Sequence, residues 1–325
     1  MSVLLISRTE VEELLTIEKA IDVVESAFVE YARGESVTPP VLSLPIVAHE
    51  GGIDFKMCYL HRQGIAGGKA VSFFANNAAL GLPSVMGTAL LFDGKTGALL
   101  SIMDGGYLTT VRTGALGAIA AKYLANKDAK VVGVIGSGTQ ARIQLVALTH
   151  VRAVSETRVY SRSPEHSARY AQEMSTELNV PVQAVDSASR AVDGADIIIT
   201  ATNAHEPLVR KESLKAGAHI TAIGADGEGM QELDPGIFHV ARTFCDSLPQ
   251  CKVIGELQHP FAKGIISDKD VVEIGDVIAG KAEGRKNDQE ITVFDSTGVA
   301  IQDLAAEYLV YTLAEERGVG TVVEI

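Results

Sequence analysis

Two patterns of apolar spacing divide this chain. From Ser7 to Arg33 the apolar residues Val11, Leu14, Leu15, Ile17, Ala20, Ile21, Val24 and Phe28 recur at helical spacing, and Thr16 offers a second helix start within the run. Between Val37 and Asp104 the signal changes to short strands: LSLPIV, IDFKMCYL, GGKAVSFF, MGTALLFD and ALLSIMD, separated by Gly, Pro and Asn pairs. Consecutive strands of this kind predict an antiparallel or mixed sheet. Tyr107 to Leu124 then reads as a helix rich in small residues, with Thr109 or Thr110 as its N-cap.

From Lys130 onward strands alternate with helical or loop segments. Apolar runs fall at about 131–135, 156–160, 182–185, 196–200, 218–223, 241–245 and 291–295. That alternation predicts a parallel sheet with helices on both faces. A last helix, Val299 to Arg317, follows Asp295-Ser296-Thr297-Gly298. The expected fold is α/β, a doubly wound parallel-sheet domain over 118–298. It is inserted into an α+β domain made of 1–117 and 299–325.

The first strand of the second pattern carries the chain's strongest motif. Val131 to Ile135 meets Gly136-Ser137-Gly138-Thr139-Gln140-Ala141, and a helix-like segment and a second strand ending at Tyr160 follow. This is the order of a βαβ dinucleotide site. Gly136 permits the tight turn, Gly138 admits a pyrophosphate, and Ala141 lets the helix pack closely on the strand. The helix N-terminus presents N–H groups and a positive dipole end to the phosphates. At the second strand's end, where an acidic residue would bind a ribose hydroxyl, stand Ser161 and Arg162. A hydroxyl and a guanidinium there favour NADP(H) over NAD(H), although Arg162 is also able to stack on adenine without discriminating.

Composition narrows the class. The 325 residues, 46% hydrophobic, support two domains or one with a large insertion, and no stretch nears the roughly 20 apolar residues of a membrane span. A net charge of −13 opposes binding to nucleic acid or anionic lipid. The start turns charged too soon for a signal peptide. Cys58, Cys245 and Cys251 form no zinc spacing and cannot all pair, and the histidines show no HExxH pattern, so no metal is expected. The expected compartment is a reducing one, the cytoplasm.

An open α/β sheet binds its ligand beyond the carboxyl ends of its strands. Asp226, between glycines in HITAIGADGEGMQELD, belongs at that edge, and Thr202 in Thr200-Ala201-Thr202 makes a wall beside a nicotinamide; an ordinary turn aspartate is the alternative for Asp226. Lys69 precedes an apolar strand. It either marks the strand's exposed start or, if it faces the cleft, has its pKa lowered by desolvation and becomes a usable proton donor or acceptor. Alternation sets Lys56 with Asp54 and Cys58 on one face and Phe55 with Met57 on the other. Arg112 reads as lying in the first turn of the small-residue helix, where a cation opposes the dipole. A bound carboxylate or phosphate would resolve that conflict.

Taken together, GGKAVSFFANNAALGLPSVMGTALLFDGKTG, MDGGYLTTVRTGALGAIAAKYLA, VIGSGTQA, AIGADGEGMQELD and TVFDSTGVAIQDLAAE resemble the ornithine cyclodeaminase/μ-crystallin family, in that order along most of the chain. The resemblance implies homodimers with an N-terminal substrate and dimerisation domain plus a Rossmann domain. It implies Lys69 and Asp226 as the catalytic pair, and Arg112 holding the substrate carboxylate or the cofactor. Thr139 and Gln140 match the pyrophosphate loop, and Ser84, Thr113 and Ser296 match positions lining the cofactor site. Two departures stand out. Val41 follows Thr38-Pro39-Pro40 where ornithine cyclodeaminases carry an arginine, and Lys56 replaces an acidic residue suited to a substrate ammonium. Both favour a substrate without a second amine, with Lys56 as a cation for its carboxylate. The implied activity is NAD(P)-dependent oxidoreduction at the C–N bond of a small amino or cyclic imino acid. A redox-neutral cyclodeaminase and a non-catalytic NADPH-binding protein of crystallin type are the alternatives.

Overall fold

The computed structural model describes residues 2–325, apart from the side chain of Ala78. The chain forms two units: one runs to Arg112 and resumes over Val299–Ile325, the other is Thr113–Gly298. In the first, β1 (Ser2–Ile6) leads into α1 (Arg8–Leu14), whose start is a capping box between Ser7 and Glu10. Thr16 caps α2 (Ile17–Ala32), its hydroxyl accepting from the Lys19 N–H. The apolar face of α2 is buried through Ala20, Ile21, Val24 and Phe28, as the spacing predicts. There follow β2 (Ser36–Val37), β3 (Leu42–Ile46), β4 (Gly51–Leu60), β5 (Ile65–Phe74), β6 (Val85–Asp93) and β7 (Leu99–Asp104). Strands β3 to β7 pair antiparallel in sequence, and β1 adds to β7 in parallel, so the sheet is mixed.

α3 (Gly105–Leu124) starts two residues earlier than its apolar pattern predicts. The Asp104 carboxylate accepts from the Tyr107 N–H at 2.8 Å, as an N-cap does. Thr109 and Thr110 are therefore not caps: their hydroxyls donate back to the carbonyls of Gly105 and Gly106. Arg112 accordingly lies about two turns into the helix, beyond the reach of the N-terminal dipole.

The second unit alternates as expected. Its elements are β8 (Val131–Ile135), α4 (Thr139–Thr149), β9 (Glu156–Tyr160), α5 (Pro164–Leu178), β10 (Val182–Ala184), α6 (Ala188–Val192), β11 (Ile197–Thr200), β12 (His205–Val209), β13 (His219–Ala222), β14 (Gln231–Leu233), β15 (Ala241–Cys245), α7 (Leu248–Ile254), α8 (Gln258–Ala262), β16 (Val271–Glu273), α9 (Ile274–Ile278) and β17 (Ile291–Asp295). Eight of the strands form one sheet in the order β10-β9-β8-β11-β13-β17-β15-β16, and every pair in it is parallel. Strand order reverses between β8 and β11, the topological switch point at which such sheets bind ligands. β12 and β14 form a separate two-stranded ribbon.

The chain then returns to the first unit with α10 (Ala300–Arg317) and β18 (Thr321–Glu324), the latter pairing antiparallel with β1. α10 lies against β4, β5 and β6 and against α2, and all of Ala300–Glu307 is buried. That run contains Gln302, Asp303 and Glu307, so polar groups enter the core of the first unit.

Candidate functional site

Lys69 is 1% exposed, on the face of β5 that α10 covers. Its ammonium donates to the Thr109 hydroxyl at 2.6 Å and pairs with Asp303 Oδ1 at 3.0 Å. The same carboxylate oxygen accepts from Arg112 Nε at 2.8 Å, and Arg112 Nη1 donates to Gln302 Oε1 at 2.7 Å. One acid thus faces two cations. Burial, with Arg112 beside it, lowers the Lys69 pKa to about 7 against the opposing pull of Asp303. Burial alone would raise Asp303, but Arg112 and Lys69 together hold it below the ordinary carboxylate range. Lys56 pairs directly with Lys69 across β4 and β5, so both project from the same face, half-buried in the case of Lys56. One turn along α10 from Asp303, Glu307 is pushed well up by burial and then by Asp303. Burial and the charge of Glu307 likewise raise the Cys58 thiol.

The second unit builds its edge in register. Tyr160, Ile135, Thr200, Ala222, Asp295, Cys245 and Glu273 are successive Cα partners across seven strands. Gly136, Ser161 and Ser296 come one residue beyond that row, Arg162 and Thr202 two beyond, Gly138 three, and Thr139 and Asp226 four, with Gln140 a residue further. Gly136 has φ +114°, and a Cβ there would lie 2.4 Å from the Ala201 carbonyl, so only glycine makes this turn. A Cβ on Gly138 would meet nothing within 4 Å, and no side chain caps α4. The Gln140 side-chain carbonyl is buried with no hydrogen-bond partner among the described residues. Open space over uncapped N–H groups fits a dinucleotide pyrophosphate.

The other candidates divide by what they touch. Thr202 donates its N–H and its hydroxyl to Glu232 Oε1, at 2.6 and 2.7 Å. The Ser296 hydroxyl donates to Asp246 Oδ2 at 2.9 Å, and the same carboxylate accepts from the N–H groups of Ser247, Thr297 and Gly298. The Cys251 thiol points at Asp246 Oδ1, 3.1 Å away, and burial pushes that thiol well up. Thr113 is buried, and its carbonyl accepts from the Gln144 amide. Ser84 is half-buried just before β6. Asp226 is exposed in the segment after β13. Arg162 is exposed and has no ion pair among the described residues, whereas the Ser161 hydroxyl donates to the Ser163 carbonyl.

One expectation about Arg112 is corrected. Its charge is not left against a helix N-terminus but is met by Asp303. Asp303, Gln302, Glu307, Glu232 and Asp246 were not anticipated as site residues. The available signal is Asp303 and Glu307 spaced four apart in the mostly apolar first part of α10.

The architecture is that of a two-unit α/β protein with a mononucleotide-type turn in the inserted unit and a buried lysine, arginine and aspartate cluster in the other. The chain belongs to the ornithine cyclodeaminase/mu-crystallin family, whose model matches residues 1–318. It is 41% identical over 326 residues to an alanine dehydrogenase of Archaeoglobus fulgidus, covering 100% of this chain and 99% of that one. Among solved structures, an archaeal alanine dehydrogenase dimer with bound NAD superposes with a TM-score of 0.96 at 39% identity, covering 100% of both chains. Thermococcus litoralis Δ1-pyrroline-2-carboxylate reductase, solved with NADH and L-proline, gives 0.95 at 37% identity, covering 98% of this chain and 99% of that one. These relatives are oxidoreductases of the carbon–nitrogen bond, the activity that the sequence implies.

Proposed function

We propose that this protein is an NAD(P)-dependent oxidoreductase that interconverts a small amino acid and its imine, of the cyclic-imine reductase or alanine dehydrogenase type. The observation that carries the reading is Lys69: a buried amine with a pKa near 7, held by Thr109 and Asp303 beside Arg112. An amine tuned to neutrality both gives and takes a proton at working pH. A bound nicotinamide dinucleotide supplies or accepts the hydride at the α-carbon. Arg112 and Lys56 bind the substrate carboxylate, and Asp303 fixes the Arg112 fork in orientation. Lys69 and Asp226 form the catalytic pair, moving the proton on the substrate nitrogen as the C=N bond becomes C–N.

The pyrophosphate rests on Gly136, Gly138, Thr139 and Gln140, with Ser84, Thr113, Thr202 and Ser296 along the remainder of the dinucleotide. Arg162, exposed and without an ion pair among the described residues, receives a ribose 2′-phosphate beside Ser161, which favours NADP(H) over the NAD(H) of the solved relatives. The working form is a cytoplasmic homodimer. Leu42, Leu44, Phe55 and Met86 share the sheet face turned away from Lys69 and are 67%, 54%, 39% and 38% exposed, an apolar patch that a second copy would cover.

The test is net oxidation of NADPH or NADH with pyrroline-2-carboxylate, and with pyruvate plus ammonia, set against ammonia release from ornithine. Imine-dependent oxidation that Lys69→Ala abolishes, with dinucleotide binding retained, supports the reading. Ammonia release from ornithine without net oxidation replaces it with the cyclodeaminase. Tight NADPH binding with no turnover replaces it with a binding protein.

A further inference from the structure

Glu232 lies on β14, outside the main sheet, and is fully buried. Its two oxygens serve different strand ends. Oε1 accepts from the Thr202 N–H and hydroxyl beyond β11, and Oε2 accepts from the Gly224 N–H beyond β13 at 3.0 Å. The two segments are in backbone contact. A Cβ on Gly224 would stand 2.4 Å from the Thr202 nitrogen, 2.3 Å from its carbonyl oxygen and 2.5 Å from Glu232 Oε2. Asp226 follows only two residues later.

Glu232 is itself braced. Its N–H donates to Glu256 Oε1 at 2.6 Å and the Leu233 N–H to Glu256 Oε2 at 3.1 Å, while the Leu257 N–H donates to Asp295 at the end of β17. Buried carboxylates therefore link the ends of β11, β13 and β17 through backbone N–H groups.

We propose that Glu232 is a positioning residue: it locks the segment carrying Thr202 to the segment carrying Asp226, so that both stand at fixed places beyond the sheet edge. This rests on the roles proposed above for those two residues. An ionised carboxylate is an acceptor at both oxygens, which suits three donors. A glutamine turns an NH2 group toward one of them and must release either Thr202 or Gly224. Misplacing a reacting group by about 1 Å costs on the order of 100-fold in rate.

The experiment compares Glu232→Gln, Glu232→Asp and Thr202→Val in the full-length protein. It reads kcat and KM for imine reduction, NADPH affinity by fluorescence, and the thermal midpoint. Positioning predicts that Glu232→Gln lowers kcat by about 10-fold to 100-fold with NADPH affinity within about threefold. Glu232→Asp should recover part of that loss, and Thr202→Val, which deletes one of three bonds, should lose less. Wild-type kcat in Glu232→Gln overturns the proposal. So does a loss of kcat that falls in step with NADPH affinity and thermal midpoint, the signature of a merely structural role. If Glu232→Gln does not fold, Thr202→Val and Glu232→Asp decide by the same criteria. Asp226→Asn separates the two failures: if it retains full turnover, the functional reading falls and this proposal with it.

Discussion

The two units bury acids in opposite ways. In the first, Asp303 sits against Lys69 and Arg112, and their charges hold it ionised despite complete burial. In the second, Asp295 receives a backbone N–H from Leu257 and stands near Asp246. Burial, little offset by that N–H and reinforced by Asp246, lifts it to about 8. Glu232, held by Thr202 and Gly224, is lifted by burial to about 7. Neutral donors orient a carboxyl group without making its charge cheap, whereas a cation does both. The first arrangement suits a site that must hold and move charge, the second a frame that must hold its shape.

That contrast is open to measurement, beginning with its strongest element. Asp303→Asn leaves two buried cations uncompensated and should destabilise the protein by about 3–5 kcal/mol at pH 6 in urea unfolding. The deficit should shrink as pH rises toward 7 and level off beyond it, because the variant, without the pull of Asp303, releases the Lys69 proton at lower pH. An equal deficit at pH 6 and pH 9 would show that charge is not the cause.

Asp295→Asn should behave in the opposite sense. The folded protein keeps the Asp295 proton up to pH of about 8, while the unfolded chain releases it near the ordinary 3.8. The unfolded state thus binds fewer protons between those limits, and stability falls as pH rises, by up to about 1.4 kcal/mol per pH unit from this group. Asp295→Asn should flatten that slope, as read from unfolding midpoints between pH 5 and 8. Lys69 contributes the reverse, a gain in stability as pH rises from about 7 toward its ordinary 10.5. The smallest effect belongs to the solvated Arg8–Glu12 pair on α1. Glu12→Ala should cost only about 0.3–0.5 kcal/mol, and less in added salt.

Where periodicity and turn chemistry act locally, the sequence was readable. The Thr16 cap, strands β3 to β9 and the helix after Gly138 follow from spacing and from residues within a few positions of one another. What depends on distant partners was not. β1 and β18 exist because they pair with each other and with β7, and the β12–β14 ribbon and β16 are short strands with the same dependence. Arg112 shows the limit most clearly. The wrong helix start turns a mid-helix arginine into a dipole conflict, when the residue that answers its charge lies 191 positions away. Glu232 and Asp246 are invisible for a related reason: they bind backbone N–H groups, which every residue but proline carries, together with hydroxyls 30 and 50 positions away, and neither leaves a local motif.

The burial that lifts the carboxyl groups also silences sulfur. Cys58 beside Glu307 in one unit and Cys251 beside Asp246 in the other keep their thiols protonated at neutral pH. Only the thiolate attacks an alkylating reagent. Both thiols are also shut off from solvent, so neither cysteine can be labelled until its surroundings loosen, and the two lie in different units. Every molecule thus carries a separate chemical clock for the opening of each.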